Sequence, residues 1–242
     1  MYMDKEVKRG YNEYLRLDEG EGKDGMMDVA LLVMEAGDTY TIEEADKEVA
    51  CLLFDGDVNM AWDDQSVDMV RPNPFDYNPW CLHVCKQTKI VITAKGPSNI
   101  YVQKTLNDKV APEFKNRLFT LDIAPYSNMV LGEVINLPGK WSSYPPHSHP
   151  QPEVYFYRYD KPMGYGAGWG NGELYETHHN GCALITKDCH SQVTAPGYAC
   201  CYAWGIRHLP GDPWDKTRID DPTHEWLVKD DADEHIWKCP TG

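Results

Sequence analysis

Two histidines one residue apart, His147 and His149, are followed four residues later by Glu153, within the stretch WSSYPPHSHPQPEVYFYRY that runs from Trp141 to Tyr159. Imidazole nitrogen and carboxylate oxygen are the ligands that a divalent first-row ion accepts. In an extended chain alternate side chains share a face. His147, His149, Glu153 and Tyr155 therefore have the same parity, and they could converge on one point if the stretch is extended. Pro145 and Pro146, just ahead of the pair, favour that extension. Burying such a carboxylate without a partner would cost on the order of several kcal/mol, which argues for an ion. A further ligand must come from downstream, where His178, His179, His190 and His208 stand. His178 and His179 precede an Asn-Gly step and read as a strand end. His190 lies between two strand-like runs and is the better candidate. Cys81, His83 and Cys85 share a strand face, but no second pair completes a tetrahedral site, so buried thiols are expected there.

The elements that must position these groups are strands. From Asp28 onward the sequence is a series of short apolar runs broken by turn signals, with no long amphipathic helical stretch, which implies sandwiches or barrels. EVACLLFDGDVNMAW places Asp55-Gly56 between two apolar runs and predicts a β-hairpin. RPNPFDYNPW must be loop, and WCLHVCKQTKIVITAK predicts two strands. RLFTLDI and NMVLGEVINL are strand-like, and the charged KTLNDKVAPEFKNR between them and the earlier strands is the candidate linker. The Asn-Gly steps at 171–172 and 180–181 predict three strands meandering through two tight turns. DDPTHEWLVKDD predicts a short terminal helix.

Composition limits the function. The chain has 242 residues, of which 42% are hydrophobic and 25% charged, within the globular range. The formal charge of −15 disfavours nucleic acid and anionic membrane as partners. No run is long and apolar enough to span a bilayer, and the polar start shows no secretory signal. The eight cysteines form no disulfide ladder and are expected as reduced thiols in a cytoplasmic protein.

The spacing H-x-H-x3-E with a later His is similar to the metal motif of cupins, small β-barrels that hold one ion. The wider wording GKWSSYPPHSH, EVYFYRY, PMGYG, HSQVTAPGYACCYAW and DDPTHEWL resembles the 5-deoxy-glucuronate isomerase family of myo-inositol breakdown. That family is grouped with the 5-keto-4-deoxyuronate isomerases of pectin breakdown. The resemblance is strongest from Leu131 to Leu227 and looser in ADKEVACLLFDGDV and RPNPFDYNPWCLHV. It implies an all-β chain of two tandem cupin (double-stranded β-helix, jelly-roll) barrels. A polar arm over residues 1–25, a barrel without metal over 26–110 and a metal-binding barrel over 111–242 are expected. Carried over, the metal ligands are His147, His149, Glu153 and His190, with zinc as the expected ion and Mn, Fe or Ni as alternatives. Only PQP separates His149 from Glu153, where the deoxy-glucuronate branch carries a longer insertion, and PEVYFY is closer to the keto-deoxyuronate branch.

The implied reaction is aldose–ketose isomerisation of an open-chain sugar acid, with a homo-oligomer as the expected assembly. Glu133, in the apolar run MVLGEVI, is either an inward-facing base or the partner of an arginine. Tyr155 and Tyr157 keep the parity of Glu153 and either line the pocket or pack as core. Tyr144 could hydrogen-bond the sugar or pack beside the prolines. Arg158, Arg207 or Lys187 could clamp the substrate carboxylate, Arg158 having the opposite parity to Glu153. Trp141 and Trp204 are wall or core. Three other readings stay open: a 5-keto-4-deoxyuronate isomerase, a non-catalytic sugar-acid-binding cupin, and an iron dioxygenase with the same ligands.

Overall fold

The computed structural model of the chain describes residues 1–119 and 124–240. The first half contributes β1 (Tyr2–Met3), β2 (Gly10–Leu15), β3 (Asp28–Met34), β4 (Thr39–Ile42), β5 (Lys47–Trp62), β6 (Gln65–Arg71), β7 (Trp80–Val84), β8 (Ile90–Ala94), β9 (Ser98–Leu106) and β10 (Arg117–Phe119). The rest of the run RLFTLDI lies outside the described residues. The second half contributes β11 (Met129–Asn136), β12 (Trp141–Ser148), β13 (Glu153–Tyr159), β14 (Tyr165–Gly170), β15 (Glu173–His178), β16 (Cys182–Ile185), β17 (His190–Thr194), β18 (Cys200–Arg207) and β19 (Ile219–Asp220).

All pairings between these strands are antiparallel, and they curl into two barrels. The first is organised by β5, whose leading half pairs with β7 and β9 and whose trailing half pairs with β6 and β8. Asp55-Gly56 is therefore not a hairpin turn. The ladder to β9 slips between Leu53 and Asp55, and Gly56 sits at φ +131°, so the strand bends and changes partners without reversing. Tertiary burial overrides the local turn preference: Val49, Cys51, Leu53, Val58, Met60 and Trp62 fill the barrel with aliphatic and aromatic side chains. On the other face Ala50, Leu52 and Phe54 pack against the second barrel.

The second barrel is two facing five-stranded sheets, in the orders β1-β16-β13-β18-β11 and β15-β14-β17-β12-β19. Asn171-Gly172 makes the expected two-residue turn between β14 and β15, both residues having positive φ. The step at 180–181 does not make a hairpin, because the chain there crosses from β15 in one sheet to β16 in the other. The polar lead-in is ordered: β1 joins the second barrel beside β16, and β2 pairs with β3 across the boundary drawn at residue 26. β10, beyond the boundary drawn at residue 110, pairs with β7 of the first barrel. In the tail the predicted helix reduces to a 3-10 turn at Glu225–Val228, followed by one α-turn at Ala232–His235. Among the described residues no helix is long and apolar enough to cross a membrane.

Between the barrels Phe156 packs on Phe54 and Tyr101, with ring centroids 5.7 and 5.5 Å apart. Polar ties cross the same contact. The Arg71 guanidinium donates to both carboxylate oxygens of Glu133 at 2.9 and 2.8 Å. Arg158 donates to Asp55 at 2.6 Å, and the buried Glu48 accepts from Ser127 Oγ at 2.7 Å and the Asn128 backbone N–H at 2.6 Å.

Candidate metal centre

The histidine-rich stretch is two strands rather than one. β12 ends at Ser148, and His149-Pro150-Gln151-Pro152 carries the chain into the opposite sheet, where Glu153 opens β13. The parity argument therefore does not run through a continuous strand. The ligands meet because the end of one strand and the start of the next lie at the same mouth of the barrel. Across β12 and β17, His147 stands directly opposite His190, with ring centroids 4.5 Å apart.

One ligand atom from each of His149, Glu153 and His190 lies within 4.8 Å of the others. His149 Nε2 is 3.1 Å from Glu153 Oε2, and His190 Nε2 is 3.2 Å from the same oxygen. His149 Nδ1 lies 2.9 Å from the Gln151 carbonyl oxygen, and His147 Nδ1 lies 3.0 Å from that of Pro145. A carbonyl oxygen only accepts, so Nδ1 carries a hydrogen in both rings and Nε2 is the nitrogen turned toward the cluster. The same arrangement fixes the rings of metal-bound histidines. His190 is 1% exposed, and neither of its ring nitrogens has a hydrogen-bond partner in line.

Glu153 is 4% exposed. Burial alone would raise its carboxyl pKa, but the imidazoles of His149 and His190 beside it hold it down to about 2. A buried carboxylate oxygen approached at 3.1 and 3.2 Å by two imidazole nitrogens is a donor set of the kind a divalent first-row ion accepts once those nitrogens are unprotonated. Burial, then the neighbouring His190, lowers the pKa of His147 to about 4, which keeps that ring neutral; it stands beside the three converging groups rather than among them. The residues present fit a metal ion.

Tyr155 joins the centre: its ring lies 5.9 Å from that of His190, and its hydroxyl is 3.1 Å from Ser143 Oγ. Burial pushes its phenol pKa well up, so it stays a hydrogen-bond donor. Tyr157 lies deeper in the barrel, 6.0 Å from the ring of Tyr202. Tyr144 sits at the rim, exposed, 5.5 Å from the ring of Trp141, which is exposed as well.

Three candidates are corrected. Glu133 stands opposite Ala203, in the same cross-strand row as Phe156, on the outer face of its sheet, where Arg71 neutralises it, so it is not the inward-facing base. Arg158 is turned outward and held by Asp55 and Asn180. Arg207 opposes Met129 on the same outer face and donates to the carbonyl oxygens of Asn128 and His208. Neither arginine faces the ligand cluster. The sequence reading missed Trp214, whose ring lies 6.4 Å from that of His149 and 5.7 Å from that of Trp204. It also missed β19, which sets Asp220 opposite His147. A two-residue strand has no period to detect, and a tryptophan in a polar tail carries no signal of its own.

Fold and site together define a bicupin with a histidine–glutamate cluster in its second barrel. The chain belongs to the KduI/IolB family, whose sequence pattern matches residues 2–120 and again 115–227. It is 21% identical over 237 residues to a 5-deoxy-glucuronate isomerase of Bacillus subtilis (strain 168), covering 82% of this chain and 86% of that protein. A 5-deoxy-glucuronate isomerase of Geobacillus thermodenitrificans is 28% identical over 120 residues, 43% of each chain. Among solved structures, an IolB-like protein from Salmonella typhimurium LT2 superposes with a TM-score of 0.82 at 16% identity, covering 94% of this chain and 99% of that one. AerE from Microcystis aeruginosa shares the fold at a TM-score of 0.60 and 10% identity, covering 76% of this chain and 88% of that one.

Proposed function

We propose that this chain is a metal-dependent aldose–ketose isomerase converting 5-deoxy-glucuronate to 5-dehydro-2-deoxy-gluconate. As a KduI/IolB-family chain it is a sugar-acid isomerase. The observation that carries the metal dependence is the convergence of His149 Nε2 and His190 Nε2 on one buried carboxylate oxygen of Glu153, at 3.1 and 3.2 Å. His147, His149, Glu153 and His190 hold the ion, with zinc as the preferred identity. When bound, it polarises the substrate carbonyl and steadies the charge that develops on the neighbouring oxygen.

The chain's own residues do the rest. Nδ1–H donation to the carbonyls of Pro145 and Gln151 fixes the two imidazoles in place. Tyr155, kept protonated by burial, donates to a substrate oxygen. Trp204 and Trp214 wall the mouth and exclude water. The three-residue link between His149 and Glu153 favours a second substrate, 5-keto-4-deoxyuronate, for the same site.

Metal analysis of the purified protein, with NMR of each uronate in its presence, tests this reading. Glu153→Gln is expected to lose metal and turnover together. The loss should exceed the roughly 10–100-fold that removal of an outer partner of a metal ligand costs. A Glu153→Gln protein with full turnover and no metal would remove the assignment.

A further inference from the structure

Arg158 and Arg207 both face away from the ligands, and the substrate carboxylate calls for a cation that faces them. The register of β19 supplies one. β19 pairs with β12 so that Asp220 opposes His147 and Ile219 opposes Ser148. Directly opposed residues share a face, and that face recurs every second residue. Arg218 stands just ahead of this two-residue strand, beside the point where Asp220 faces His147. Its Nε lies 3.0 Å from Asp220 Oδ1, an ion pair without hydrogen-bond alignment, and its side chain is 39% exposed.

Among the described residues Asp220 is the only carboxylate paired with Arg218, and the contact is through Nε, the inner nitrogen of the guanidinium. The contrast with the other arginines is chemical. Arg71 is spent on Glu133 and Arg158 on Asp55 and Asn180, on faces away from the ligands. In a chain of formal charge −15, an anionic substrate needs such a local cation at the mouth.

We propose that Arg218, oriented by Asp220, clamps the carboxylate of the sugar acid at the mouth of the second barrel. The proposal rests on the isomerase reading for its substrate class. A guanidinium fork matches a carboxylate in a bidentate manner, while the far end of the open-chain sugar reaches the ligands.

The test combines turnover of 5-deoxy-glucuronate with calorimetric binding of D-glucuronate and D-glucose, using metal-loaded wild-type, Arg218→Ala, Arg218→Lys and Asp220→Asn proteins. Arg218→Ala is expected to raise KM about 10- to 100-fold, the range for a charge-assisted hydrogen bond, with kcat within about threefold and metal content unchanged. Glucuronate binding should weaken by the same factor, glucose binding should not change, and Arg218→Lys should fall between. Asp220→Asn should give a smaller KM rise with the same selectivity for the acid. An unchanged KM in Arg218→Ala, or an equal loss toward glucuronate and glucose, overturns the clamp while leaving the isomerase reading standing. Wild-type protein that binds glucuronate through Arg218 but turns over neither uronate upholds the clamp and removes the isomerase reading instead.

Discussion

Glu153 and His147 respond to acid in the same direction, through adjacent pH windows. His147 has its pKa lowered to about 4 in the fold, against an ordinary histidine value near 6.5. Between those values the unfolded chain binds a proton that the folded chain does not, so the stability tied to this group is complete above pH 6.5 and drains away as pH falls toward 4. Glu153, held at about 2, continues the loss from about pH 4.5 downward. Metal-free protein should therefore show a thermal midpoint that drops from pH 7 to pH 5, and His147→Gln should flatten that slope in calorimetry. In the loaded protein the same acidification should release the ion, because ligand nitrogens must stay unprotonated.

Individual strands decide how the site is assembled, and β5 is the clearest case. Its bend at Gly56 depends on a positive φ and on close approach: a Cβ there would lie 2.6 Å from the Ser98 Cα and closer still to its side chain. Gly56→Ala is expected to destabilise the protein by about 1–3 kcal/mol, read as a lower denaturation midpoint, with metal content unchanged in the folded fraction. The same strand shows why sequence reading stops where it does. Asp-Gly is a turn signal only where the chain is free to leave the core, and β5 is buried on both faces along Glu48–Phe54. The ligands were legible because His147, His149 and Glu153 are close in sequence and their chemistry is specific. The strand that was to join them was not, because Pro150 and Pro152 turn the chain between sheets. Glu133 read equally well as base or ion-pair partner, and only its place in the outward-facing row with Ala203 and Phe156, with Arg71 approaching from the other barrel, decided between them.

For the whole molecule, the contact between barrels is where buried charge concentrates. Arg71 is 1% and the Glu133 side chain 9% exposed, and each satisfies the other across the interface. Removing one partner leaves an uncompensated buried charge. Glu133→Ala is thus expected to lower stability by about 3–5 kcal/mol in chemical denaturation while metal content stays at the wild-type level. Replacing both residues, as in Arg71→Met with Glu133→Leu, should recover much of that loss. A catalytic base would behave differently: turnover would collapse without a change in the denaturation midpoint.

The placement of β1 also bears on any attempt to divide the chain. Tyr2 and Met3 hydrogen-bond alongside Ala183 and Cys182, Tyr2 stacks on Tyr175 at 5.1 Å, and Tyr14 donates to the Asn180 carbonyl at 2.6 Å. The opening residues thus strap themselves onto a barrel built almost entirely from the far end of the sequence. A fragment beginning after the first barrel would expose a bare sheet margin at β16, open to adventitious strand pairing and clumping. Two separately expressed halves would reconstitute this margin only when the first carries its own leading strand across to the second.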